Sequence, residues 1–159
     1  MKVTDFYVEH VNHKAVKSFV IKHHYSGSTR GLHISHCFGL YSPDGPFGLP
    51  RMIGAMIYGE PAMPDVSKKY WPKNPSIVLE LNRLCCIDDT PKNTESYFIG
   101  KTLRWLKKNT NYRVILSFAD PHEGHEGTIN GDENIELKQL PPKHIYVKSL
   151  DRRISFESI

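Results

Sequence analysis

The sequence IVLELNRL at Ile77–Leu84 continues through PKNTES at Pro91–Ser96 into YFIGKTLR at Tyr97–Arg104. This pattern predicts an apolar strand, a turn and a helix that Asn93 or Thr94 caps. The first amides of a helix have no acceptor within it, and the helix dipole favours anions there. The turn therefore indicates a site for the phosphate or pyrophosphate of a nucleotide-type cofactor, although any ordinary helix start uses the same residues.

Contacts to such a cofactor are expected from the first helical turn and from the strand before it. Ser96 offers a hydroxyl and an amide to the pyrophosphate, or simply caps the turn. Arg83 ends an otherwise apolar strand, and a guanidinium is costly to bury without an anionic partner. A cofactor phosphate, a DNA phosphate or an internal carboxylate such as Glu80 meets that need. We therefore predict cofactor contacts from four residues: Arg83, Asn93, Thr94 and Ser96.

A second apolar strand, Val114–Ala119, ends abruptly in carboxylates, imidazoles and glycines. Sites in open α/β sheets gather at such strand ends. Asp120 is the candidate general base, because burial raises the pKa of a carboxyl group; a turn-forming Asp-Pro pair is the structural alternative. With His122 and His125 it forms an Asp-x-His-x-x-His cluster. If His24 converges on this cluster, the four residues suit a divalent first-row metal, whereas a solvent-exposed loop is the alternative.

The first predicted helix ends at His23-His24-Tyr25-Ser26-Gly27. His24 is a candidate acid, base or metal ligand, and Tyr25 is able to stack on a nucleobase. A histidine that merely caps the helix is the alternative. The predicted helix from Thr94 to Lys108 presents the cations Lys101 and Arg104 on its outer face. These match nucleic acid or an acidic partner, but also an ordinary solvated helix face.

Size and composition bound these interpretations. The 159 residues fit one domain, and 21 basic against 17 acidic residues give a net charge of +4, a weak preference for anionic partners. The three cysteines have neither metal-ligand spacing nor an even number for disulfides, which favours a reducing cytoplasm. No apolar stretch reaches the roughly 18 residues of a membrane span. We expect a single cytoplasmic domain over residues 1–159.

The predicted elements follow an α/β (α+β) order: a mixed, mostly antiparallel sheet flanked by helices. We expect a first strand over Lys2–Val11, a helix capped by Asn12, and antiparallel strands at His33–Tyr41 and Arg51–Tyr58. The proline-rich residues 61–75 are expected to form a surface loop or lid, with Tyr70 and Trp71 available for stacking on a base. The final expected hairpin pairs His144–Lys148 with Arg153–Phe156. This order is compatible with an acyl-CoA-dependent N-acyltransferase.

Four motifs occur in one order: KHHYSG at 22–27, LNRL at 81–84, NTES at 93–96, and FADP at 118–121 continuing to GHEGTI at 124–129. Together they resemble the phage Mom family of DNA adenine modification proteins, over about residues 10 to 129. The resemblance implies a fold related to the GNAT acetyltransferases and an acyl-CoA-type pocket. It also implies dependence on iron or another divalent metal, and transfer of a group to adenine N6 in DNA, which protects phage DNA from restriction.

The family's functional positions carry over to five residues of this sequence: His24, Tyr25, Arg83, Ser96 and Asp120. Because duplex DNA partly hides adenine N6, the base must be unstacked or flipped into the site. The chain departs from the family pattern after Ile129, where residues 130–142 form a shortened or atypical segment. Two further readings remain open: a conventional acetyl-CoA-dependent N-acetyltransferase acting on a protein or small amine, and a catalytically silent binding protein on a GNAT-like fold.

Overall fold

The computed structural model describes residues 1–62, 64–119, 138–140 and 144–150. Three helices and seven strands follow in chain order within this part: β1 (Tyr7–Val11), α1 (His13–His23), β2 (Ile34–Ser42), β3 (Arg51–Gly59), α2 (Pro64–Tyr70), β4 (Val78–Cys86), α3 (Thr94–Asn109), β5 (Val114–Ala119), β6 (Lys138–Leu140) and β7 (His144–Ser149). Short 3₁₀ turns lie at Val3–Asp5, Pro46–Gly48 and Pro75–Ile77.

The seven strands form one sheet in the order β1-β2-β3-β4-β5-β7-β6. Only β4 and β5 are parallel, and the remaining neighbours are antiparallel. Parallel neighbours need a crossover connection, which α3 provides. As a result, α3 begins at the end of the sheet where β4 finishes.

The two long helices pack on opposite faces of the sheet. Successive residues of a strand point to opposite faces, so adjacent positions of β2 and β3 serve different helices. Val16 and Val20 of α1 cluster with Cys37, Ala55, Ile57 and Cys85. The other face buries Phe98, Leu103 and Leu106 of α3 against Phe38, Met56, Tyr58 and Leu79. We call these the α1 face and the α3 face.

A buried hydrogen bond joins β3 to α3 within this core. The hydroxyl of Thr102 donates to the carbonyl of Ile99 at 2.8 Å, so the Tyr58 hydroxyl, 2.7 Å away, donates to Thr102 Oγ1. Complete burial raises the pKa of the Tyr58 hydroxyl. The pair satisfies two polar groups that would otherwise be costly inside an apolar layer.

The sequence predicted both long helices and the central strands correctly. Asn12 caps α1 by accepting a hydrogen bond from the amide of Ala15 at 3.1 Å. Helix α3 buries the apolar positions that its periodicity indicates. The first strand is shorter than expected, because Val3–Asp5 forms a 3₁₀ turn and pairing begins at Tyr7.

Two predicted segments differ from the structure. Residues 61–75 contain helix α2, and the side chains of Val66 and Trp71 are buried against Val78, Val114 and Leu116. Trp71 is therefore a packing residue and is not presented for stacking on a base. The closing hairpin joins β7 to β6, and β5 occupies the other edge of β7. The expected strand at 153–156 lies outside the described residues.

Gly59 ends β3 where the chain passes close to two other segments. A Cβ atom there would overlap the carbonyl oxygen of His33 and lie 2.5 Å from Asn82 Oδ1. We therefore expect Gly59→Ala to lower the free energy of unfolding by about 1–3 kcal/mol. Gly100, in the middle of α3, is the matched control because the nearest atom to its Cβ position is Arg104 Nη2 at 3.7 Å. Gly100→Ala should raise stability by about 0.5–1 kcal/mol in urea unfolding; equal effects at both sites would contradict the packing.

His10 and His36 form a second testable pair, on the α3 face. His10 Nε2 lies 3.0 Å from His36 Nδ1, and the His10 ring stacks on Trp105 with a centroid distance of 4.1 Å. Burial lowers the pKa of both rings, and the charge of His10 lowers that of His36 further. The contribution of the two histidines to the free energy of unfolding is therefore complete at pH values above the pKa of a histidine in the unfolded chain, about 6.5. This contribution declines as the pH falls below that value.

The variant His36→Asn keeps a neutral hydrogen-bonding group and removes one titrating group. We expect the wild-type melting temperature to fall relative to that of His36→Asn between about pH 7.5 and pH 5. Thermal unfolding followed by circular dichroism checks this. A constant difference across that pH range would show that the pair does not titrate as the geometry indicates.

Candidate active site

Strands β4 and β5 part in the middle of the sheet. Their parallel pairing runs from Val78–Val114 to Leu81–Ser117, whereas β4 continues to Cys86 and there, among the described strands, pairs with β3 alone. Opposite Ile57 and Tyr58 of β3, the register shifts by one residue, so Asn82 is an extra, bulged residue. A bulge turns the following side chains to the other face. Arg83 and Cys85 consequently face α1, although Leu79 and Leu81 face α3.

The start of α3 lies at this same end of β4. Asn93 has left-handed backbone angles, φ 69° and ψ 12°, and its side chain makes no capping hydrogen bond. The amide of Thr94 donates to the Pro91 carbonyl at 3.3 Å, which closes a tight turn. The expected side-chain cap is therefore absent, because the left-handed turn directs the Asn93 side chain away from the helix. The amide of Tyr97 donates to the Asn93 carbonyl at 3.0 Å, so the first-turn amides that remain available to an anion are those of Glu95 and Ser96.

Thr94 and Ser96 differ in what they can offer to a cofactor. Thr94 is buried, and its hydroxyl donates to the Pro91 carbonyl at 2.6 Å. It stabilises the turn and has no second proton for a phosphate. Ser96 is half-buried in the first turn of α3. Of the two hydroxyls, that of Ser96 is the one placed to contact a ligand.

His24 follows the last residue of α1 and begins the loop that crosses towards β4. Its ring lies 4.3 Å from the ring of Tyr25, which is 59% exposed. The backbone amide of Ser26 donates to His24 Nδ1 at 3.1 Å, and Ser26 Oγ lies 2.8 Å from the same nitrogen. A backbone amide can only donate, so Nδ1 is an acceptor and the neutral ring carries its proton on Nε2.

The Nε2–H tautomer limits what His24 can do chemically. Nε2 can donate a hydrogen bond to a substrate atom, but it cannot take a proton or bind a metal without first losing its own. Moving that proton to Nδ1 would set two N–H groups against each other at Ser26. The geometry therefore favours a hydrogen-bond donor over a base or an Nε2 metal ligand.

Arg83 is tied to the same loop. Its Nε donates to the carbonyl of Ser28 at 3.0 Å, and Nη1 donates to the carbonyl of Asn82 at 2.8 Å. Ser26 Oγ lies 3.2 Å from that Ser28 carbonyl and 2.8 Å from His24 Nδ1, and its single proton serves one of the two, so Ser26 and Ser28 place His24 and Arg83 beside the same loop. Among the described residues, Arg83 has no carboxylate ion-pair partner, and Glu80 is not bonded to it. The half-buried guanidinium keeps its charge for an anionic ligand.

Glu80 and Asn82 form a separate polar pair beside the bulge. Asn82 Nδ2 donates to Glu80 Oε2, and the amide of Ala62 donates to Glu80 Oε1 at 3.3 Å. Burial raises the pKa of the Glu80 carboxyl group, and these two hydrogen bonds together with the charge of Arg83 oppose the rise. Asn82 Oδ1 is buried and accepts no hydrogen bond from any described residue. Sequence reasoning did not identify Asn82, because a bulge has no local signature.

The predicted metal site cannot be assembled from the described residues. In residues 1–62, 64–119, 138–140 and 144–150, no three His, Cys, Asp or Glu side chains converge on one point. Asp120, His122 and His125 lie outside the described residues, and the tautomer of His24 does not suit a metal at Nε2. A metal site at these four residues therefore stays a prediction.

The predicted nucleic-acid cations lie away from this site. Lys101 and Arg104 are exposed on α3, and Lys101 Nζ lies 5.4 Å from the centroid of the Tyr97 ring. Helix α3 packs on one face of the sheet, whereas His24, Tyr25 and Arg83 belong to the other. Only Tyr25, of the three residues predicted to contact nucleic acid, adjoins the candidate site.

Comparison with solved structures defines the class of fold. The chain is similar to a GNAT family N-acetyltransferase (YhbS) from Escherichia coli in complex with CoA, with a TM-score of 0.61 and 8% identity over 92% of this chain and 82% of that one. A chain of a KacTA–DNA complex gives a TM-score of 0.57 and 13% identity over 91% of this chain and 93% of that one. An N-acetyltransferase from Staphylococcus aureus Mu50 gives a TM-score of 0.51 and 12% identity over 92% of this chain and 99% of that one. The protein has the GNAT fold.

Residues 5–135 match the sequence model of the Mom protein family, and the chain belongs to that family. The comparison with curated proteins gives no match. Within the part of the chain that the structure describes, no helix is long and apolar enough to cross a membrane.

The hydrogen bond from Ser26 to His24 predicts a direct spectroscopic signal. Above the pKa of an ordinary histidine, about 6.5, we expect a scalar coupling between the Ser26 amide nitrogen and His24 Nδ1 in ¹⁵N-labelled protein. Ser26→Ala should retain the coupling because the backbone amide is unchanged, and His24→Gln should abolish it. His23 is the internal reference. A proton found on Nδ1 of His24 would contradict the assigned tautomer.

Proposed function

We propose that this protein transfers a group from an acyl-CoA-type donor to the exocyclic N6 of adenine in DNA, and that the modification protects phage DNA from host restriction. Membership of the Mom family supports the adenine acceptor, and the GNAT fold supports the CoA-type donor. The observation that carries the proposal is the arrangement of His24, Tyr25 and Arg83 on the α1 face, beside the point where β4 and β5 part.

The chain's own residues fit a CoA-type donor. Beyond Leu81 the edge of β4 has no strand pairing from β5, which leaves backbone groups for a ligand's amides. The first-turn amides of α3 and the Ser96 hydroxyl lie at the same end and suit a pyrophosphate. When bound, an acyl-CoA supplies the transferred group as an activated thioester. Asn93 and Thr94 support this site by shaping the turn.

To receive the transferred group, adenine has to be held by a hydrogen-bond donor and an aromatic surface, and a base has to take a proton from its N6. Adenine carries an acceptor nitrogen on either side of C6, and the Nε2–H of His24 is suited to bind one of them. Tyr25 is exposed enough to stack on an unstacked base. Arg83 is placed to bind a phosphate next to that base. In this proposal Asp120, which follows β5 in sequence, takes the proton that N6 loses as the new bond forms and the donor's thioester C–S bond breaks, which releases CoA as a thiolate.

Substitution of Arg83 tests the proposal, and the chain offers a matched control. Arg113 is also half-buried and also donates to two backbone carbonyls, those of Thr110 at 2.7 Å and Tyr112 at 2.6 Å. It precedes β5, at the opposite end of the parallel strand pair. Lysine keeps the charge but loses the planar guanidinium. We expect Arg83→Lys to lower the yield of modified deoxyadenosine about 10-fold to 100-fold, and Arg113→Lys to leave it unchanged.

The measurement is mass spectrometry of nucleosides from the DNA of cells that express each variant. Wild-type protein should produce a heavier deoxyadenosine, whose mass gives the transferred group, and Asp120→Asn should abolish it. Unmodified DNA in the presence of folded wild-type protein would overturn the proposal. Acetyl-CoA turnover on amines with unmodified DNA would then identify a conventional N-acetyltransferase.

A further inference from the structure

Helix α1 and the loop that follows it carry cations and no carboxylate. No aspartate or glutamate occurs between Glu9 and Asp44, a stretch that contains α1 and the loop bearing His24 and Tyr25. The cations of this stretch are Lys14, Lys17, Lys22 and Arg30. All four are exposed. The described residues provide an ion-pair partner for none of them.

The three lysines of α1 share its outer face. At 3.6 residues per turn, Lys14, Lys17 and Lys22 fall within about 140° of the helix circumference, opposite the buried Val16 and Val20. Lys14 to Lys22 covers about 12 Å of helix axis, which is close to the width of the major groove of B-DNA. Helix α1 then ends at His23, directly before His24, so the row of cations leads into the candidate site.

A groove continues the basic surface across the sheet. It has a volume of about 390 Å³ and its polar lining includes Lys22, His23 and Arg51, while Phe19 and Met52 are among its apolar residues. Asp44 lies 3.6 Å from Arg51 and offsets part of its charge. Glu9 pairs with Gly39 towards this face, and the charge of Glu95 acts on Cys85 there. Helix α1 itself carries three lysines and no carboxylate.

We propose that the outer face of α1, with Lys14, Lys17 and Lys22, binds the phosphate backbone of duplex DNA beside the adenine that enters the site. This inference rests on the proposed function. Helix α3 has four cations against the three lysines of α1, but it lies on the opposite face from His24, Tyr25 and Arg83. A duplex that delivers a base to those residues meets α1 first. The α1 lysines therefore position the DNA, and the loop after α1 receives the base.

Two charge-matched triple variants test this surface. Lys14→Gln with Lys17→Gln and Lys22→Gln removes three charges from α1, and Lys101→Gln with Arg104→Gln and Lys108→Gln removes three from α3. Binding to a fluorescent duplex is measured over a range of salt concentrations. Each lost phosphate contact makes the negative slope of log K against log salt shallower by about 0.9. We expect the α1 variant to lose about 2 to 3 from that slope and the α3 variant to keep the wild-type slope.

Two further measurements make the outcome specific. Replacing the same α1 lysines with arginine should keep the wild-type slope, which excludes a folding defect as the cause of the loss. The α1 glutamine variant should also give less modified deoxyadenosine in cells. Loss of binding in the α3 variant alone, or in neither variant, would overturn the α1 surface and leave the proposed function intact. Wild-type protein that neither binds nor modifies DNA would overturn both.

Discussion

The parting of β4 from β5 after Leu81 and Ser117 is the constraint on which the site depends. Up to that pair the strands share backbone hydrogen bonds, and beyond it, within the part of the chain that the structure describes, β4 pairs with β3 only. Because α3 connects two parallel strands, its first turn lies at the C-terminal end of β4. This is the end of the strand pair where β4 and β5 separate. The open edge of β4 and the free amides of α3 are thus brought to one place by the topology.

The bulge at Asn82 decides which face of the sheet the Arg83 side chain lies on. Without the extra residue, Arg83 would keep the alternation of Leu79 and Leu81 and face α3. With it, the guanidinium faces α1 and reaches the carbonyl of Ser28. The loop after α1 is held by this bond, and Ser26 in turn holds His24. Histidine, tyrosine and arginine therefore share one side, while the cations of α3 lie on the other.

Elements with a strong local pattern were predictable from the sequence, and contacts between distant segments were not. The apolar periodicity of α1 and α3, together with the N-cap residue Asn12 of α1, suffices to predict those helices. Helix α2 was missed because its prolines suggest a loop, and its stability comes from burying Val66 and Trp71 in tertiary contacts. Strand β6 has three residues, and only pairing with β7 defines it.

The same distinction applies to the candidate site. The motif around His24 and Tyr25 predicts functional residues, and the short-range bond from Ser26 to His24 is local in sequence. The partners of Arg83 are the Ser28 carbonyl, 55 residues away, and the Asn82 carbonyl at the bulge. Of the three anionic partners that the sequence leaves open, the described residues do not supply the internal carboxylate. Charge periodicity marks Lys101 and Arg104 as a basic row, but it carries no information on which sheet face the helix covers. That information comes from strand register alone.

A photo-crosslinking measurement tests most directly where the base enters. A duplex that carries one photoreactive adenine analogue is irradiated with the protein, and the crosslinked peptides are identified by mass spectrometry. We expect crosslinks to the loop that contains His24, Tyr25 and Ser26, or to the peptide that contains Arg83. Crosslinks confined to the outer face of α3, at Lys101–Lys108, would contradict the account.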